Sequence, residues 1–177
     1  LIGKTLQQTN LKIKNVCYLD SDILISPLAP NIFNFHKEGK IGLVSIRKNM
    51  PYEFQEMRRR LAFLRNKFYS ADYPLDSSLF ISIEDLYRLH NLPIYDDEAC
   101  MGLIVFNCEE HAELMEKIFL KYDKTTKSIT NGGDQTHLNY EFHNYGNIYK
   151  LNYRFQAIWA FEMAWFYPFL YESKYKN

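Results

Sequence analysis

Two aspartates set two residues apart, Asp20 and Asp22, close a stretch that reads as interior strand, Val16-Cys17-Tyr18-Leu19, and the chain turns apolar again at Ile23. Charged side chains are seldom buried without a partner, so a carboxylate pair in this place asks for a cation. Residues i and i+2 of a strand point the same way, which aims both carboxylates at one point beyond the strand's carboxyl end. That is where open α/β sheets bind their ligands. A divalent ion that prefers oxygen, Mn2+ or Mg2+, would relieve the repulsion there, and such ions commonly arrive with a substrate diphosphate. The plainer alternative is a surface turn with an aspartate capping the helix that follows.

Other residues able to do chemistry lie further along. Asp134 and Gln135 follow Gly132-Gly133; Asp134 reads as a helix N-cap that could also hydrogen-bond a sugar hydroxyl. His137, one turn later, reads as a hydrogen-bonded or exposed helical histidine before it reads as a metal ligand. Arg58, Arg59, Arg60, Arg65 and Lys67 crowd one side of an expected helix, a solvated face first and an anion-attracting one second. Asp96-Asp97 reads as a solvated loop pair, and Trp159 and Trp165 stand out in an aromatic-rich terminal run.

The elements that must carry these residues alternate. Strands are expected over 12–19, 41–46, 101–106 and 148–152 from their apolar runs. Pro51 opens an amphipathic helix with Phe54, Met57, Leu61, Leu64 and Phe68 on one face, and shorter helices are expected over 83–90 and 134–143. Asn107 with Glu110 makes a capping box for a helix over 109–122. The segment 125–133 is loop. Strands alternating with helices give an α/β protein of packed layers, in one domain over 1–177.

Composition narrows the function classes. The chain of 177 residues is 47% hydrophobic and 24% charged with a formal net charge of +0, which fits a globular domain and excludes nucleic acid as a partner held by phosphate charge. No apolar run reaches the roughly 18 residues of a membrane span. Cys17, Cys100 and Cys108 read as reduced core thiols of a cytoplasmic protein.

With these residues in place, the chain resembles GT-A glycosyltransferases that carry a DxD motif, most closely the glycogenin-like and lipopolysaccharide-galactosyltransferase group. Asp20-Ser21-Asp22 with its flanks is similar to the DxD segment. Residues 100–107, with Gly102 and Asn107, resemble that group's Asn-Ala-Gly, apolar strand and Asn. Asp134-Gln135 through Leu138-Asn139 resembles its Asp-Gln-x-x-Leu-Asn, and residues 151–156 more weakly its Leu-Pro-x-x-Trp-Asn. The family has a nucleotide-binding βαβ half before the DxD strand, where only residues 1–15 precede Val16 here. A GT-A-like mixed sheet flanked by helices, truncated at the N-terminus, is therefore expected, with an exposed sheet edge along 16–19.

The resemblance implies a metal-dependent, retaining hexosyltransferase. Asp20, Ser21, Asp22, Gly102 and Asn107 would bind the donor, Asp20 and Asp22 its Mn2+ or Mg2+, and Asp134 and Gln135 would act at the reacting sugar. The donor would be a nucleotide diphosphate sugar, a UDP-sugar first among them. The acceptor would be a glycan or a lipid-linked glycan, with a peripheral membrane contact. The family's first Asn falls on Cys100, so its hydrogen bond to the donor sugar is either missing or supplied by Glu98; its Trp-Asn falls on Phe155-Gln156, altering acceptor-side contacts; its late His ligand has no counterpart. Two rivals stand beside this reading. One is a haloacid-dehalogenase-like phosphatase with Asp20 as nucleophile, Asp22 as acid/base and Asp96-Asp97 as its late acidic pair. The other is a non-catalytic sugar-binding module.

Overall fold

Four apolar stretches pair into one mixed sheet with helices on both faces. The structure, a computed structural model, describes residues 13–53, 82–122 and 134–167, apart from the side chains at 160, 164 and 165. The helix expected from Pro51 with its five basic residues, the loop over 125–133 and the Trp165 side chain lie outside what is described. The strands are β1 (Asn15–Leu19), β2 (Ile41–Ser45), β3 (Ala99–Asn107) and β4 (Ile148–Lys150), in spatial order β1-β3-β2-β4. β1 and β2 both run antiparallel to β3, and β4 is parallel to β2. The three strands expected around the carboxylates thus share a sheet.

β2 is buried at every position because β3 and β4 flank it and both faces are covered. β1 corrects the reading of 16–19 as an interior strand. Among the described residues it pairs with β3 alone, so it forms the sheet edge, half-buried, with Tyr18 exposed. That agrees with the expectation of an exposed edge.

The core divides into two clusters. Ile41, Leu43, Met101, Ile104, Phe106 and Phe142 pack on one side with α2 (Cys108–Tyr122) and α3 (Gln135–Tyr145). Val44, Ile46, Leu103, Val105, Leu151 and Phe161 pack in the other with the 3-10 turn Tyr153–Gln156 and α4 (Trp159–Phe166). A further helix, α1 (Ile83–Leu89), meets α3 through the Tyr87 hydroxyl, which donates to the Thr136 carbonyl at 2.8 Å. Strict alternation along β3 would put Leu103 with Met101, yet it packs in the opposite cluster. The ladder breaks at that place: Leu43 of β2 alone faces residues 101–104 of β3. A glycine inside a strand marks such bulges, and Gly102 sits in this one.

Asn107 caps α2 as expected, its Oδ1 accepting from the N–H groups of Glu109 (2.9 Å) and Glu110 (3.0 Å). The partner of the box differs: the Asn107 N–H faces His111 Nδ1 at 3.1 Å, because the fully buried imidazole reaches back where Glu110 was expected. No helix among the described residues is long and apolar enough to cross a membrane.

Candidate functional site

The site begins where β1 ends. The Asp20 N–H donates to the Gly102 carbonyl at 2.9 Å, carrying the β1–β3 ladder one residue past Leu19. The chain then reverses, with the Ile23 N–H donating to the Asp20 carbonyl at 3.2 Å, so Asp20, Ser21 and Asp22 lie exposed in a tight turn. Strand alternation therefore stops at Asp20. It pairs Asp20 with Tyr18, whose hydroxyl donates to Asp20 Oδ1 at 2.7 Å, and does not extend to Asp22. Both carboxylates nevertheless act on one neighbour: their charges, with that of Glu98, add to burial in pushing the Cys100 thiol up to about 11. The Tyr18 hydroxyl is pushed up to about 12, first by its bond to Asp20, then by burial and by the charges of Asp20 and Asp134.

Gly102 lies directly beneath Asp20. A Cβ there would stand 3.0 Å from Asp20 Oδ2 and 2.7 Å from the Gln156 side-chain amide, so any other residue would make both groups shift.

Asp134 and Gln135 reach the same end of β3 on α3. Asn139, one turn beyond Gln135, holds that helix in place. Its Oδ1 accepts from the Ala99 N–H at 2.8 Å and its Nδ2 donates to the Ala99 carbonyl at 2.7 Å, so the buried amide pairs with the start of β3 as a strand would. Gln135 Nε2 donates to Glu98 Oε1 at 3.3 Å, and Glu98 lies 3.6 Å from Arg47, which also pairs with Glu84. Glu98 is thus held between a guanidinium and the amide of Gln135. Asp134 occupies the N-cap position of α3 without a side-chain capping bond, which leaves its carboxylate outside the helix's own hydrogen bonding.

Other residues singled out in the sequence go elsewhere. Asn107 is at the far end of β3, about 15 Å along the strand from Gly102. It is buried against Asn15 and committed to α2, so the fold does not bring it to the carboxylates. Asp97 is not the solvated loop residue expected: it is buried, accepting from Ser45 Oγ at 2.5 Å and pairing with Lys150 at 2.6 Å, because β4 brings Lys150 over it. Asp96 is exposed but paired with Lys48 at 2.5 Å. The late acidic pair of a phosphatase would thus have to be taken from two lysines. His137 stacks on Tyr122 with centroids 4.5 Å apart, a packed helical histidine. Trp159 is exposed at the start of α4. All three cysteines are free, with Cys108 buried and Cys17 and Cys100 only half-buried, because β1 is an edge and Cys100 borders the site.

A hard divalent cation fits the donor set. Among the described residues no Lys, Arg or His pairs with Asp20 or Asp22, and their oxygens are exposed and of the type Mg2+ and Mn2+ take. Two carboxylates are what such an ion usually receives from protein when a diphosphate and waters complete its shell.

Sequence reasoning passed over the roles of Tyr18 and Arg47, and named Asn139 only as a match to the motif over 134–139. Tyr18 had a signal, its position two residues before Asp20 on the same strand face. Asn139 had one in its spacing from Gln135. Arg47 had none. No family model, no curated protein and no solved structure matches the chain.

Proposed function

We propose that this chain carries the metal site and acceptor side of a GT-A-like, metal-dependent glycosyltransferase, moving a hexose from a nucleotide diphosphate sugar to a hydroxyl of a glycan or lipid-linked glycan. One observation carries the reading. Three segments remote in sequence, the Asp20–Asp22 turn, Gly102 and the start of α3 at Asp134-Gln135, adjoin one end of β3. Each of them bears residues of one of the motifs that carry the resemblance.

Asp20 and Asp22 would hold Mn2+ or Mg2+, which when bound supplies positive charge to the departing nucleoside diphosphate. The remaining work falls to the chain. Tyr18 fixes the Asp20 carboxylate by its 2.7 Å bond, so the ligand need not be ordered at the moment of binding. Gly102 would serve the donor through Asp20, whose carboxylate its missing Cβ lets close on the backbone. Gln135, steadied by Glu98, would contact the sugar near its reacting carbon, with Asp134 orienting its hydroxyls. Configuration at that carbon would be retained, and a UDP-sugar is the first donor to try.

Titrating the full-length chain with UDP-, GDP- and CMP-sugars, with and without Mn2+, tests this. Saturable binding of one donor that requires Mn2+ and vanishes in Asp22→Asn is the expected result. Binding of none of them, or binding indifferent to Mn2+ and to Asp22, would sink the reading.

A further inference from the structure

The break between β2 and β3 leaves backbone groups that β2 does not serve. Leu43 alone faces residues 101–104, and its carbonyl is taken by the Leu151 N–H at 2.8 Å. Unpaired peptide groups at such a place cost free energy unless something else bonds them. Gln156, at the end of the 3-10 turn Tyr153–Gln156, is buried against this gap. With its amide turned to match its surroundings, the oxygen accepts from the N–H groups of Gly102 (3.1 Å) and Leu103 (3.0 Å), and the nitrogen donates to the Cys100 carbonyl at 3.3 Å.

We propose that Gln156 is a positioning residue for the carboxylate site: its side-chain amide stands in for the missing stretch of β2 and fixes the Gly102 peptide on which Asp20 is seated. The path is short. Gln156 holds the Gly102 N–H, the Gly102 carbonyl holds the Asp20 N–H, and the Asp20 carboxylate lies over the face of Gly102 that lacks a Cβ. Tyr18 then closes on Asp20 from the other side. Gln156 touches no reacting group in this scheme. What the seated carboxylate does rests on the glycosyltransferase reading; that Gln156 seats it does not.

The test starts with the unmodified protein. Scalar couplings across hydrogen bonds should link the Gly102 and Leu103 amide nitrogens to the side-chain carbonyl carbon of Gln156. Couplings to a β2 carbonyl instead would overturn the proposal, and this result needs no variant to fold. Gln156→Met keeps the volume and removes the amide. In it the exchange of the Gly102 and Leu103 amides should quicken about tenfold relative to Val105, the loss of one ordinary hydrogen bond. The coupling across the hydrogen bond from the Asp20 amide nitrogen to the Gly102 carbonyl carbon should also weaken, since that bond seats Asp20 on the peptide. Mn2+ affinity should fall at least about tenfold, by the same arithmetic. Gln156→Glu keeps the acceptor oxygen and should retain both the amide protection and the Asp20–Gly102 coupling. A purely structural glutamine would lower stability in Gln156→Met and leave the Asp20–Gly102 coupling where it was, and that outcome refutes positioning. If the parent binds no Mn2+, the function proposed above falls, while the Asp20–Gly102 coupling still decides the role of Gln156.

Discussion

Two acidic pairs stand near the same end of the sheet and meet opposite fates. Asp96-Asp97 leads into β3, and each of its carboxylates is met by a lysine, Lys48 on one and Lys150 on the other. Asp20-Ser21-Asp22 leads out of β1, and the described residues bring it a tyrosine hydroxyl and no cation. The residue types are the same and the strand ends are comparable. What differs is whether the fold supplies its own counter-charge. Where it does, the carboxylate becomes a strut between strands; where it does not, the charge is left for something that arrives from outside. A sequence motif of two aspartates cannot distinguish these, because the lysines come from far along the chain.

The contrast breaks most sharply at the exposed pair. Asp20→Asn or Asp22→Asn should weaken Mn2+-dependent donor binding by about a hundredfold or more, the scale of a lost charge-assisted ligand. The unfolding midpoint should hardly move. A large loss of stability in either variant would make that pair structural as well. Asp97→Ala should do the reverse, costing about 2 kcal/mol in a urea titration, since it leaves the buried Ser45 hydroxyl without its acceptor and takes the partner from exposed Lys150. Mn2+ binding measured on the same sample should survive.

Acid should act through the histidines. His36, His111 and His137 all have pKa values lowered, each first by burial, so the folded state favours their neutral forms. Below their ordinary value of 6.5 the unfolded chain takes up protons that the folded one refuses. Their stability contribution is therefore intact above that pH and is lost as pH falls through the lowered folded values. Stability should fall between pH 7.5 and 5.5, chiefly through buried His111, since His36 and His137 are only half-buried. His111→Gln should flatten that profile, and a profile unchanged by it would show that His111 does not titrate. The smallest effect belongs to Asp96→Asn. Its pair with Lys48 is solvated, and neither the unfolding midpoint nor Mn2+ binding should move measurably.

Local signals in the sequence mark β2, β3 and the α2 cap well, because continuous apolar runs and an Asn before a helix act within a few residues. The edge position of β1 was legible only through what the resemblance says should lie beside it. The bulge had a local flag in Gly102, a glycine inside a strand, yet its partner Gln156 lies 54 positions later. Nothing in the spacing of either announces the other. The same holds for Asp97 with Lys150 and for Glu98 with Arg47. Spacing reports neighbours along one element; the pairings that decide which carboxylate is free are made across elements.

The strand order β1-β3-β2-β4 also governs how the chain must assemble. No two of the described strands form a hairpin. β1 and β2 are both synthesised before β3, the neighbour they share, and β2 reaches β4 only across the interval from Ser45 to Ile148. Each pairing closes a long loop before any ladder rewards it, which slows folding relative to chains rich in local contacts. On the ribosome, β1 and β2 cannot form their ladders with β3 until Ala99–Asn107 has emerged. When β3 arrives it finds both partners already made, and β4 then closes the sheet on the far side of β2.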